Sequence, residues 1–198
     1  MEDVNNRILD AAMRVFSKEG YEGATTKKIA ETANVNEVTL FRKFRSKENI
    51  LKTVISKNQQ EAIQTLDSIL LMEKSMDIQK CLLDLGNSIM EFMSQRMDFI
   101  IMLIAEGRKR DEIGLTLHSF LKKILEHLSE YFTEQITKGK IRNIDPNVAA
   151  FSYSSYIFYS NLSAKVCGKE RLTDPELEFK NFVDMFTNGI LSSSEKEI

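Results

Sequence analysis

Only two prolines interrupt the 198 residues, and each follows an aspartate: "IDP" at 144–146 and "TDP" at 173–175. Proline lacks an amide donor and clashes with the turn before it, so a helix does not run through it. Its fixed φ nevertheless suits the first helical position. Aspartate is a good N-cap. Each triplet therefore marks a helix start, at Asp145–Pro146 and at Asp174–Pro175. Eight glycines are the other strong breakers, which leaves most of the chain open to long helices. Tryptophan is absent, and Val and Ile are too scattered to read as strands. The expected fold class is all-α. An apolar content of 42% is enough for a packed core and too high for a disordered chain.

Helical periodicity fixes the first elements. In "NNRILDAAMRVFSKEGYEG", Ile8, Leu9, Ala12, Val15 and Phe16 fall on one stripe, and Gly20 and Gly23 close the helix. "ATTKKIAETAN" reads as a short helix capped by Thr25 or Thr26, with Ile29, Ala30 and Ala33 as its apolar face. Asn34 stands where the chain turns sharply, because Asn tolerates positive φ. Asn36 caps the next helix, and Val35 and Leu40 form a hydrophobic staple across its start. Leu40, Phe41 and Phe44 are expected to pack inward, which leaves Glu37, Thr39, Arg42 and Lys43 pointing out. Ser46 caps a long helix over 47–72. Further helices are expected at about 76–96, 98–108, 112–139, 145–168 and 174–192, and the tail "SSSEKEI" is expected to fray.

Charge is unevenly spread. Residues 25–52 hold seven cations (Lys27, Lys28, Arg42, Lys43, Arg45, Lys47, Lys52) against Glu31, Glu37 and Glu48, a net +4. Residues 1–52 sum to +2, so with −2 for the whole chain the remainder carries −4. A basic head on an acidic body points to a polyanion bound at one end. Two short helices joined by a tight turn, with a preceding helix over their apolar sides, make a helix-turn-helix. The second helix of such a pair enters the major groove, so its outward side chains must be cationic or hydrogen-bonding.

Other function classes are poorly served. The two cysteines, Cys81 and Cys167, are far apart with no CxxC, and read as reduced, buried small hydrophobes. The opening "MEDVNNRILD" has no apolar signal-peptide core, and the run "DFIIMLIAEG" at 98–107 is too short to span a membrane. A soluble cytoplasmic protein is expected. His118 and His127 are nine residues apart, on opposite faces of a helix. There is no ExxH pair, GxSxG, GxGxxG or P-loop. Neither an enzyme nor a cofactor is expected.

Residues 5–51 resemble the DNA-binding domain of the tetracycline-repressor (TetR) family. The resemblance lies in "RILDAAMRVFSKEGYEGATTKKIAETANV" followed by "VTLFRKFRSKENIL". It implies a three-helix helix-turn-helix domain over residues 1–50. Residues 51–198 would form a helical-bundle domain for effector binding and dimerisation. It also implies that Thr26, Lys27 and Lys47 touch phosphates and that Thr39 bonds a phosphate or a base. Phe41 stands where the family usually has Tyr, so it keeps packing and loses a phenolic contact. Val38 replaces a frequent Gly and suits a thymine methyl. Arg42 reads a base edge or grips a phosphate. With the capping Thr25 and Asn36, and with Glu37 and Lys43, these residues make up the expected DNA-facing set.

In the body, Met72, Met76, Met90, Met93, Met97 and Met102 lie within one stretch. Methionine adapts to varied apolar ligands, and it also fills ordinary cores. With the pocket that the resemblance implies, Met90, Met93, Met97, Met102, Phe120 and Tyr153 are expected to meet an apolar or aromatic small-molecule effector. Glu106 either points inward to hold a cation or ends a wet helix face. The resemblance also implies two-fold dimerisation through the last two long helices, at Phe151, Ser155, Phe158, Leu162, Phe179, Phe182 and Phe186. The resulting expectation is a homodimeric repressor that binds a palindromic double-stranded operator and is released by a small molecule, with no membrane partner. The alternatives are a DNA-binding regulator without an effector and a helical protein-interaction module.

Overall fold

The computed structural model describes residues 3–72, 77–168 and 174–190, with the side chains of Leu71, Met72, Pro175 and Ile190 left undescribed. Met76 and the "SSSEKEI" tail lie outside the described residues. Among the described residues the fold is all-α: α1 (Val4–Gly23), α2 (Thr26–Thr32), α3 (Glu37–Phe44), α4 (Lys47–Met72), α5 (Ile78–Ser94), α6 (Met97–Gly107), α7 (Asp111–Thr137), α8 (Pro146–Cys167) and α9 (Pro175–Ile190). The helix starts are where their caps put them. Asp145 accepts from the Asn147 amide with Pro146 next to it, Asp174 accepts from the Glu176 amide, and Ser46 accepts from Asn49. Among the described residues, no helix is long and apolar enough to cross a membrane.

The chain packs as two compact units, Met1–Glu61 with Asp98–Leu121, and Ala62–Met97 with Lys122–Ile198. The core of the first joins Ile8, Ala12 and Phe16 of α1 to Ile29 of α2, Leu40 of α3 and Ile50 and Val54 of α4. Phe99, Met102 and Leu103 of α6 complete it. The N-terminal helices thus share their core with a segment from the middle of the sequence. Gly20 takes a φ of +69° and kinks α1 just before its end, where the Ala24 amide bonds back to the Gly20 carbonyl at 3.2 Å.

The second unit is organised by aromatic rings. Phe132 of α7, Tyr153 and Tyr156 of α8, and Phe179, Phe182 and Phe186 of α9 make successive ring contacts, with the Tyr156 and Phe182 centroids 3.8 Å apart. The Tyr153 hydroxyl donates to the Leu82 carbonyl of α5, and the Tyr131 hydroxyl bonds Cys81 Sγ at 2.9 Å. Cys81 is buried as expected. Cys167 is exposed, a correction to the expectation that both are core thiols, because α8 ends there and nothing packs over it in the described chain.

Candidate nucleic-acid interface

The turn between α2 and α3 is built by local chemistry. Asn34 has a φ of +52°, its amide bonds the Glu31 carbonyl, and the Val35 amide bonds the Ala30 carbonyl at 3.0 Å. This is the paired 5→2 and 6→1 pattern that closes a helix with a left-handed residue. Asn36 then caps α3 by accepting from the Val38 amide at 2.8 Å. Thr25, the open alternative to Thr26, is the cap of α2 and accepts from the Lys28 amide. At the far end of α3 a second positive φ falls on Arg45, at +64°, where no sequence signal pointed.

Leu40 is the one fully buried residue of α3, and Phe44 packs partly against the same core. At about 100° per residue, Arg42 stands diametrically opposite the midpoint of that pair. Val38 is 73% exposed and flanks Arg42 on the outward face; Thr39, on its other side, is half-buried, and Lys43 is exposed. Phe41 corrects the expectation that it anchors the helix. It sits at the edge of the packed face, 45% exposed, and adds apolar surface to the outward side.

Ion pairing sorts the cations. Lys28 pairs with Glu19, and Lys52 with Glu48 and Glu112. These acids raise the Lys52 ammonium above its ordinary value, the Glu48 hydrogen bond first. Lys27, Arg42, Lys43 and Arg45 are exposed and, among the described residues, have no acid within ion-pair range. Four cations without a partner acid thus lie at the start of α2, on α3 and at its C-cap, and among the described residues Arg14 and Lys18 of α1 are exposed and unpaired as well.

Two expected contact residues are engaged inside the protein. Thr26 Oγ1 donates to Glu37 Oε1 at 2.7 Å, which ties the start of α2 to the start of α3. Lys47, expected to point out to a phosphate, sends Nζ to the carbonyls of Tyr21 at 2.8 Å and Ala24 at 3.0 Å, 4.5 Å from the Tyr21 ring centroid. Burial lowers its ammonium below the ordinary value, and the charge of Glu106 partly restores it. An ammonium has three donors, so one remains for a phosphate. Lys47→Met keeps the stem over Tyr21 but leaves two carbonyls without their charged donor. It is expected to cost about 1–3 kcal/mol of stability in thermal melts. If the third donor reaches a phosphate, the slope of log affinity against log salt also falls by about one. A lower melting temperature with an unchanged slope would make Lys47 a strut only.

Glu106 resolves to the inward alternative, 6% exposed, but its partners come from its own chain. Lys109 Nζ lies 2.9 Å from Oε1 and Arg110 Nε 3.6 Å from Oε2. Arg110 also pairs with Glu22 and lies 4.9 Å from the Tyr21 ring centroid, beside Lys47.

The structure does not gather the expected effector residues into one unit. Met90 and Met93 are half-buried against the second core, where Tyr153 is fully buried, and Met97 is 2% exposed. Met102 belongs to the first core and Phe120 to the first unit. The expected dimer residues also divide. Val148, Phe151, Ser155, Tyr159, Leu162 and Val166 follow an i, i+3, i+4 course along α8, and Phe151 is 62% exposed. Phe158 lies half-buried beside them. Phe179 corrects the expectation, because its ring is 1% exposed and inside the core. Phe182 and Phe186 are half-buried and stack within the unit. Val148, Tyr159 and Val166 are exposed as well and extend the α8 stripe beyond the expected set at a helical spacing legible in the sequence.

The model of the bacterial regulatory proteins of the tetR family matches residues 8–54. The HTH-type transcriptional regulator YvkB of Bacillus subtilis strain 168 is 30% identical over 191 residues, 96% of this chain and 98% of its own. IcaR of Staphylococcus aureus strain Newman, the HTH-type negative transcriptional regulator of the biofilm operon icaADBC, is 25% identical over 77% of this chain and 95% of its own. The solved structure of the transcriptional regulator FadR from Bacillus subtilis in complex with stearoyl-CoA superimposes with a TM-score of 0.75 at 21% identity. That match covers 93% of this chain and 98% of FadR.

Proposed function

The chain belongs to the TetR family of helix-turn-helix transcriptional regulators, and from that premise we propose that it is a dimeric repressor of a palindromic operator, released by a small apolar effector. The observation that carries this reading is the unpaired charge of Lys27 at the start of α2, Arg42 and Lys43 on α3, and Arg45 at its C-cap. Phosphate neutralisation supplies most of the affinity of such a surface, and the groove-facing residues supply sequence preference. Negative regulation has its precedent in IcaR. A gel shift on the chain's own promoter region, titrated with salt, tests the reading. The absence of a specific shift would favour a protein-interaction module.

Arg42 is the first residue to vary, because it is long, always charged and opposite the buried face of α3. As a base reader, Arg42→Ala costs about 1–3 kcal/mol on the cognate site, relaxes preference at one base pair per half-site and leaves nonspecific affinity nearly intact. Uniformly weaker binding with an unchanged preference would make it a phosphate clamp. The dimer reading rests on the apolar stripe of α8, where a two-fold partner would cover the same residues on both copies. Phe151→Glu is expected to shift the protein to monomer in analytical ultracentrifugation and to weaken operator binding with it.

An effector releases DNA only if it binds the DNA-free state more tightly. The half-buried Met90 and Met93 of the second unit offer adaptable apolar surface. FadR holds stearoyl-CoA, so a long-chain acyl-CoA is the first probe to titrate against the protein–operator complex. Undiminished operator binding at saturating acyl-CoA would remove that class.

A further inference from the structure

We propose that Glu37, held by Thr26, selects cytosine at one position of each operator half-site. This inference rests on the DNA-binding reading above and sharpens it. Glu37 is the one acid on α3, a helix otherwise directed at a polyanion. A carboxylate there is repelled by phosphates, a cost that a hydrogen bond accepted from a base edge offsets. Yet it is not swung away into solvent. Its side chain is half-buried, and Oε1 accepts the Thr26 hydroxyl at 2.7 Å.

That bond has two consequences. A threonine hydroxyl has a single proton, so Thr26 has only lone pairs left and cannot donate to a phosphate while the bond lasts. Its function shifts from contact to support. Glu37, in turn, loses rotamer freedom before DNA arrives, and the second carboxylate oxygen, Oε2, remains to accept. Glu37 is also the first residue of α3 after the Asn36 cap, where the helix dipole favours negative charge and where a recognition helix meets base edges.

An acceptor-only group discriminates by what the groove offers. Guanine presents N7 and O6 and thymine presents O4, all acceptors that repel a carboxylate. Cytosine N4 and adenine N6 are donors, but adenine places N7 beside N6, against the carboxylate. Cytosine carries no acceptor in the major groove and is the base that fits.

The test is selection from a randomised half-site library by the full-length protein, its Glu37→Gln variant and its Thr26→Val variant, with thermal melts to show that each folds. Wild type is expected to enrich cytosine at one position per half-site. Glu37→Gln retains an acceptor for Thr26 and gains amide donors. It should move that position towards adenine and bind the cytosine site about tenfold more weakly. Thr26→Val should blunt the preference at the same position. Unchanged base preferences for Glu37→Gln, with or without a general loss of affinity, overturn the proposal. A shift with Glu37→Gln but none with Thr26→Val overturns the holding role alone. A wild type that enriches no sequence overturns the DNA-binding reading and this inference with it.

Discussion

Leu40→Ala is expected to abolish operator binding and to lower the melting temperature by roughly 5–15 °C, since a buried Leu→Ala change costs about 2–5 kcal/mol and each kcal/mol is worth about 2–4 °C in a chain of this size. Leu40 is the sole fully buried residue of α3. The helix is eight residues long, too short to persist without packing. What remains against the core after truncation is the half-buried Phe44. Arg42, Lys43, Val38 and Glu37 would still be present, but on a helix with no fixed pose, and groove readout needs the pose. Circular dichroism melts and DNA titrations well below the lowered melting temperature check the two effects separately. Wild-type affinity in a destabilised Leu40→Ala protein would show that DNA itself positions α3.

Gly86→Ala should destabilise the second unit by about 3 kcal/mol through overpacking, the upper part of the usual range for an inserted methyl. Gly86 is buried on α5, where α8 and α9 cross it. A Cβ at this position would overlap the Phe179 ring, with Cε1 at 2.8 Å, and lie 2.6 Å from the Tyr153 hydroxyl oxygen. Neither neighbour has room to yield. Phe179 is 1% exposed within the ring cluster, and Tyr153 is fully buried with its hydroxyl committed to Leu82. Tightly packed interiors transmit a displacement of this kind rather than absorb it. The expected reading is a melting temperature lower by roughly 10 °C with near-wild-type operator affinity at low temperature, because the helix-turn-helix belongs to the other unit. An unaltered melt would mean that α9 shifts without cost.

The sequence by itself determined where the helices begin and turn. Asp145–Pro146, Asp174–Pro175, Asn36 and Ser46 cap within two or three residues of themselves, and Asn34 closes α2 by its own tolerance of positive φ. These are short-range effects that neighbouring residues settle. The order of residues through α1–α4 likewise made the family legible, since the caps and turn of a helix-turn-helix are set by residues close in sequence. Much of the rest depended on which distant element covers which side chain. Phe41 lies at the margin of the packed face of α3, so periodicity alone did not decide its exposure. Lys47 turns inward because the last carbonyls of α1 arrive beside it from 23 and 26 residues away. The Thr26–Glu37 bond exists only once the turn has folded. Met102 fills the first core, where the α6 segment joins helices some 50–90 positions earlier, while Phe179 is buried rather than free for a partner because α8 and α5 close around it. A helical stripe states that a face will be covered. What covers it is a long-range choice, made by packing and hydrogen-bond satisfaction across the whole unit.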